Sequence, residues 1–555
     1  MNPSIAQVVF GLPIEGPFDY LIPEDLIPKV ALGQRVSVRF AGKKRVGVIV
    51  GLVSKTEHAG QLSVLIKVLD EEPVFSSAFL RLSEIFSEKF ACTRGEALET
   101  FLPAYLRKPR LFKGAFKSAS ILDVKIPSPT LIFDRGQTQR WETLLPLVAK
   151  TLSEGRGVLV LVPDATRCPD VLPKLGPLVK ADERVLITSG TEKEEYARWL
   201  SIRSGRARLV VGFISAVFAP VKDLGLIVMV EEGNPFYKHD QSPFYHAREV
   251  ALDRSAIEGC EVVCVSSAPS VEMWHKTQVG LARLTLLDEK LPPVKFLDLT
   301  NFKMKKGTFV SLGLRNHIEA IIKDGRKILL YIQAARGVSG VVEEVKKSFS
   351  SARVASYDKA SGKLPDDFDI LVTTQAMFRY RSSLKVAVAA VLDIDWEFHK
   401  HDHQASHGAF ALAQHLRQMA REEVLLQTRQ ASDPLLHTLA SDDPCDFYRQ
   451  ELALRRQMGL PPFQVIATVI LRSVDPALAC AEAKRLYDML MPVVPDEVMV
   501  LDPQQDRSPL VRGKFRYCVS VHGPERQIVV GSIKGVLKMF RPKKDTVVTV
   551  NVDGP

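Results

Sequence analysis

Short runs of mostly aliphatic residues, each four to seven long, recur through the middle of this chain with helical stretches between them. The first is Val158-Leu-Val-Leu-Val162, and others follow at 185–188, 209–212, 225–231 and 261–265. A strand with no polar alternation must be covered on both faces, and helices between successive strands supply that cover. The pattern therefore predicts a parallel α/β sheet. It begins with a helix-like run from Leu144 to Leu152 and repeats from 316, with a strand at Ile328–Ile332, a helix at 338–349, and strands near 353, 370 and 386–392. Two successive α/β units of roughly 150 residues each result, an ordinary domain size.

The flanks read differently. In residues 1–70, Val36, Val38 and Phe40 alternate with polar residues, a turn follows at Ala41-Gly42-Lys43-Lys44, and Val46 to Val50 returns. This predicts a half-buried hairpin with a basic tip. Residues 75–107 carry helical periodicity, and a basic, poorly patterned stretch follows. The tail opens with a helix from Phe447 to Met458, broken by Gly459-Leu-Pro-Pro-Phe463, then strand, helix and strand. The expected fold class is multidomain α/β: a mostly-β N-terminal domain (1–110), a basic linker (111–128), two α/β lobes (129–292 and 293–440) and a small α+β C-terminal domain (441–555).

Composition excludes several classes. Hydrophobic residues make up 46% and charged residues 25%, as in soluble globular proteins. No apolar run approaches the roughly 18 residues needed to span a bilayer. The start, MNPSIAQVVFGLPIEG, lacks the basic segment and apolar stretch of a secretory signal, so the expected location is cytoplasmic. Seven cysteines are scattered without a CxxC, and Cys260 and Cys264 read as core thiols, so no thiolate zinc site is expected. A net charge of +10 suits a polyanion partner.

Tandem α/β units raise the question of a nucleotide-driven motor. Such a motor needs a Gly-rich loop with a Lys for the phosphates and a hydroxyl for Mg²⁺. The place for it reads Asp134-Arg-Gly-Gln-Thr-Gln-Arg-Trp141, with one glycine, no lysine, and a tryptophan after Arg140. Arg140 is a planar fork rather than a point charge, and Trp141 offers no oxygen to a metal. A strand end that could hold Mg²⁺ carries Glu231 and Glu232 after Val230, which also reads as a solvated acidic cap. His399, His401, His403 and His407 form a cluster whose spacing permits a metal, although a polar loop is the reading favoured.

A family resemblance rests on several segments taken in order. They are Gly16-Pro-Phe-Asp-Tyr-Leu-Ile-Pro23, Gly33-Gln-Arg-Val-Ser-Val-Arg-Phe40, Val68-Leu-Asp-Glu-Glu-Pro-Val74, Ile202-Arg-Ser-Gly-Arg-Ala-Arg-Leu-Val-Val-Gly212, Tyr245-His-Ala-Arg248, Phe447-Tyr-Arg-Gln-Glu-Leu452 and Arg512-Gly-Lys-Phe-Arg-Tyr517. Together they resemble the PriA replication restart helicases, nearly end to end. The resemblance implies two RecA-like lobes between an N-terminal DNA-binding domain and a C-terminal domain. The family's Asp-Glu-Glu-His motif stands here as Val230-Glu-Glu-Gly233, and its Gln-x-x-Gly-Arg-x-Gly-Arg motif falls near Gln414 to Arg421 without its glycines. Its eight-cysteine, two-zinc insertion is missing after Gln333-Ala-Ala-Arg-Gly337. Only about twenty residues separate Leu106 from Pro129, too few for its winged helix.

What the resemblance implies is a restart protein that binds forked or single-stranded DNA but lacks helicase activity. Phe18 and Asp19 match the family's pocket for a nascent 3′ end. The basic residues Lys43, Lys44, Arg45, Arg512, Lys514 and Arg516 are candidate phosphate contacts. No catalytic residue and no cofactor is expected, with ATP and Mg²⁺ only where residual activity exists. Arg140, Glu231, Glu232 and Arg421 are the remnants of a nucleotide site. The implied partners are single-strand-binding protein and helicase-loading factors on the nucleoid, with no membrane. Two alternatives stay open: a divergent, active ATP-dependent 3′→5′ helicase, and a catalytically dead scaffold for primosome partners.

Overall fold

The computed structural model describes residues 4–56, 58, 60–112, 126–136, 139–287, 289–302, 307–398 and 402–553. Most of the expected linker, Gln137, Thr138, His399 and His401 lie outside them.

Residues 5–68 form a six-stranded sheet from β1 (Ile5–Val9), β2 (Phe18–Leu21), β3 (Arg35–Phe40), β4 (Lys43–Val53), β5 (Ser63–Val64) and β6 (Lys67–Val68), in the order β5-β2-β1-β4-β3-β6. The β3–β4 hairpin turns on two residues, Ala41 and Gly42, both at positive φ. That is the mirror-image turn matching strand twist. The turn is tighter than the sequence pattern suggested, so Lys43, Lys44 and Arg45 stand on β4 itself. Phe10, Tyr20, Val36, Val38 and Ile49 fill a small separate core.

The helices Ser77–Lys89 and Arg94–Phe101 follow as the periodicity predicts, started by Ser76 and Thr93 caps. Their apolar faces pack on the first lobe. Phe101 stacks on Phe218 at 4.6 Å, and Phe86 meets Tyr245 at 5.6 Å. Arg35, wholly buried, ties β3 to this segment. Its guanidinium bonds Asp70 at 2.5 Å and donates to the carbonyl oxygens of Leu106 and Arg110.

The first lobe is a seven-stranded parallel sheet of β7 (Thr130–Asp134), β8 (Gly157–Leu161), β9 (Arg184–Ile187), β10 (Leu209–Gly212), β11 (Leu224–Val230), β12 (Glu261–Ser266) and β13 (Arg283–Leu287), ordered β13-β7-β12-β11-β8-β10-β9. Cys260 and Cys264 are core thiols, as expected. The second lobe is a six-stranded parallel sheet of β14 (Val294–Asp298), β15 (Ile328–Tyr331), β16 (Val354–Tyr357), β17 (Ile370–Thr373), β18 (Val386–Val391) and β19 (Ala420–Thr428), ordered β14-β19-β18-β15-β17-β16.

The helix Cys445–Met458 belongs physically with the lobes rather than with the tail. Tyr448 stacks on Trp274 of lobe one at 4.4 Å, and Phe447 stacks on Phe410 of lobe two at 4.3 Å. The C-terminal sheet of β20 (Val465–Ser473), β21 (Met499–Val500), β22 (Gln504–Val511), β23 (Lys514–Gly523) and β24 (Val547–Val552) is backed by the helices Pro476–Leu490 and Arg526–Met539 around their own core. Among the described residues, no helix is long and apolar enough to cross a membrane.

Removing Asp70 would strand the buried Arg35 charge. Asp70→Ala is expected to lower unfolding free energy by about 3–5 kcal/mol, measured by denaturant titration. An unchanged midpoint would contradict the pairing.

Candidate functional site

In a parallel sheet the carboxyl ends of the strands face the crevice where ligands bind. Here β7 ends at Asp134, β11 runs into Glu231, and β12 runs into Ser267. The helix Arg140–Ser153 starts beside them, and its first residue turns its side chain into the crevice. Arg140 Nε donates to Asp134 Oδ2 at 2.6 Å, and Nη1 donates to Glu231 Oε1 at 2.7 Å. From lobe two, Arg381 Nη2 donates to the same Glu231 oxygen at 2.6 Å. Ser267 Oγ donates to the other oxygen at 3.3 Å. All five side chains are buried.

Glu231 sits at φ 55°, in the left-handed region. That backbone costs about 1–2 kcal/mol for a residue with a Cβ. Burial alone would push its carboxyl pKa up. The charges of Arg381 and then Arg140 outweigh burial and hold it well below the usual carboxylate range.

Glu232 faces another set. Arg248 Nη1 donates to its Oε1 at 2.6 Å, Ser270 Oγ donates at 2.5 Å, and the Ser270 amide donates to Oε2 at 3.1 Å. The expectation of a solvated acidic cap is thus corrected, since both carboxylates are buried and fully engaged. Gly233 is fixed by a close approach. A Cβ there would lie 2.2 Å from Ala268 O, so no side chain fits without a backbone shift.

Arg421 is the second correction. It stands exposed at the start of β19, and Arg381 reaches Glu231 in its stead. Sequence reasoning missed Arg381. The one signal available was its place just beyond the carboxyl end of β17, on the crevice side. A cavity of about 350 Å³ remains beside the triad, lined by Trp141, Arg167, Lys174 and Lys385 among others.

Both carboxylates at this strand end hold guanidiniums, and Arg140 bridges the ends of β7 and β11.

Of the histidines, His407 is buried in the helix Ala405–Met419, and its Nε2–H donates to Pro269 O at 2.8 Å. Burial lowers its pKa. The carbonyl oxygen of His403 accepts from Arg455 at 2.6 Å. Among the described residues no three metal-ligating side chains converge.

The N-terminal candidates come together. Phe18 and Asp19 line a cavity of about 660 Å³ with Gln7, Lys55, Thr56 and His58. Phe18 is half-buried and leans on Phe40 at 4.9 Å. Asp19 accepts from Thr56 Oγ1 and, at 3.4 Å, from Gln7 Nε2. Lys43 and Lys44 are exposed on β4, with Arg45 half-buried.

Arg512 and Gly513 form a two-residue turn at positive φ, so Arg512 caps the β22–β23 hairpin while Lys514 and Arg516 lie on β23. Arg516 pairs with Asp506 at 2.9 Å. Lys534 bonds Glu15 and the Cys92 carbonyl across to the N-terminal domain, which takes it out of any tail surface.

Residues 7–103 match the family model described as a 3′ DNA-binding domain of PriA. Replication restart protein PriA of Rickettsia conorii is 23% identical, covering 93% of this chain and 94% of that protein. PriA of Treponema pallidum is 22% identical over 99% of this chain and 98% of its own length. The chain is thus similar to PriA proteins over nearly its whole length, at low identity. Among solved structures, RecG bound to a three-way DNA junction has a TM-score of 0.39 at 12% identity, covering 59% of this chain and 43% of its own. The PriA match spans the cavity of Phe18 and Asp19 as well as both lobes.

The Glu231 carboxyl gives a pH test. Its pKa is lowered on folding, so its contribution to stability is complete above the ordinary value near 4.5. That contribution falls away as pH drops below it. The stability difference between wild type and Glu231→Gln, from chemical denaturation, is expected to be constant above pH 5 and to shrink below. A difference that grows on acidification would contradict the pairing.

Proposed function

We propose that this chain is a replication-restart protein that binds forked DNA at a 3′ end and does not unwind it with ATP. The observation that carries the reading is the Phe18–Asp19 cavity within the segment matching a 3′ DNA-binding domain. A half-buried aromatic ring can stack on a terminal base, and a carboxylate can accept from a 3′-hydroxyl. Lys55 and His58 on the same wall suit the adjoining phosphate. The basic hairpins, with Lys43, Lys44 and Arg45 on one and Arg512 and Lys514 on the other, would neutralise phosphates further along.

The second half of the reading is supported by the side chains in the crevice. Phosphoryl transfer needs free donors and a metal held by a carboxylate, whereas Arg140, Glu231 and Glu232 are engaged with one another and with Arg381, Arg248 and Ser270. In this reading ATP, Mg²⁺ and zinc are not required. The partners are branched and single-stranded DNA, with single-strand-binding protein and helicase-loading factors as the protein partners to test.

Fluorescence anisotropy with a 3′-ended fork and a blunt duplex at physiological salt tests the first half. The fork is expected to bind more tightly. Asp19→Ala should remove most of that preference, a loss of roughly 10–100-fold for one charge-assisted hydrogen bond. Equal binding of both substrates, or an unaffected Asp19→Ala variant, would reject the pocket. Steady-state phosphate release with the fork present tests the second half. Background rates are expected, and DNA-stimulated turnover lost in Glu231→Gln would identify a divergent helicase instead.

A further inference from the structure

Several polar contacts cross between the two lobes at the mouth of the crevice. Arg381 of lobe two grips Glu231 of lobe one. Nearby, Arg167 Nη2 donates to Phe378 O at 3.0 Å, and Ser382 Oγ donates to Asp170 Oδ1 at 2.9 Å. Gln418 Nε2 donates to Arg135 O, and His407 donates to Pro269 O. Behind them the helix Cys445–Met458 presses one aromatic ring against each lobe. A single continuous apolar core runs through both lobes and this helix.

We propose that Arg140, Glu231 and Arg381 form an internal latch that holds the lobes closed with no nucleotide present. The proposal rests on the reading that these lobes do not turn over ATP. A ligand moves two lobes only by its differential affinity for the open and closed arrangements. Here the bridging charges belong to the chain itself and are always at hand, so the closed arrangement has no need of a ligand.

The charge balance makes Glu231 the pin. Arg140 and Arg381 approach one carboxylate oxygen from opposite lobes, with Arg167, Lys174 and Lys385 on the same cavity wall. With the carboxylate charge removed, two guanidiniums meet in a site already rich in cations. Repulsion then separates the lobes. Removal of Arg381 takes away the tether without that repulsion, so the opening should be smaller. The N-terminal domain and the C-terminal sheet are both fastened to lobe one, so the latch sets the position of lobe two relative to all three. Lys89 pairs with Asp253 at 2.7 Å on the N-terminal side. On the C-terminal side Lys238 Nζ donates to Val552 O at 2.7 Å.

Single-molecule energy transfer across the lobes tests this in the full chain. Dyes on the exposed positions Lys150→Cys and Lys363→Cys, in a Cys445→Ser, Cys480→Ser background, report the interlobe distance. Wild type is expected to show one narrow distance that is the same with and without Mg²⁺·ATP or a non-hydrolysable analogue. Glu231→Gln, which keeps the shape of the side chain, should lengthen and broaden it, and Arg381→Ala should do so less. A broad wild-type distribution that narrows with nucleotide would overturn the latch. So would a Glu231→Gln distribution identical to wild type, whatever the folding of Arg381→Ala. Phosphate release separates the two claims. Turnover with a constant narrow distance rejects the inactive motor while supporting the latch, and a nucleotide-driven distance change rejects the latch even without turnover.

Discussion

The arrangement of the central lobes depends on one buried carboxylate, Glu231, shared between an arginine of its own lobe and an arginine of the other. An isolated charge in this setting would be too costly to keep, and a single ion pair would barely repay its own desolvation. Two guanidiniums on one acid, with a serine hydroxyl on the second oxygen, satisfy the carboxylate and commit both lobes to one relative position. The left-handed backbone at Glu231 shows that the turn gives up some local stability to aim this side chain into the crevice.

The next residue, Glu232, performs a related task within the assembly of domains. It holds Arg248, which also meets Glu249 at 3.2 Å and lies 3.7 Å from Glu272. Glu249 contacts Lys89 of the N-terminal helices, while Glu272 pairs with Arg455 of the helix that wedges the lobes apart from the tail. Arg248 thus stands at the junction of the N-terminal domain, both lobes and the C-terminal region. Two adjacent glutamates at the end of one strand each anchor buried guanidiniums.

Much of this architecture was legible in the chain because the informative strands are apolar without interruption. The runs at 158–162, 209–212 and 386–392 could only be buried, and they are. β19 escaped because it opens with Ala420-Arg-Glu-Glu, whose exposed charges mask the buried half that follows. β13 escaped because it is an edge strand with several exposed residues. The site was half legible. Arg140, Glu231 and Glu232 announce themselves by standing in the wrong place for a phosphate loop and a metal acid. Arg381 does not, since Phe378-Arg-Tyr-Arg381 offers two arginines and only tertiary packing 150 residues from Glu231 selects one of them. The alternation of Arg512, Lys514 and Arg516 suggests a single strand, yet Arg512 stands in the turn. The positive φ of a two-residue turn at Arg512-Gly513 is invisible to an alternation pattern.

In the proposed reading Arg140 stands where a nucleotide's phosphates would lie, while the N-terminal domain still binds DNA. Equilibrium binding of labelled Mg²⁺·ATP to the full chain assembled on a 3′-ended fork measures this directly. No saturable binding is expected at millimolar nucleotide. A saturable site that ADP competes for, and that Arg140→Ala abolishes, would contradict it.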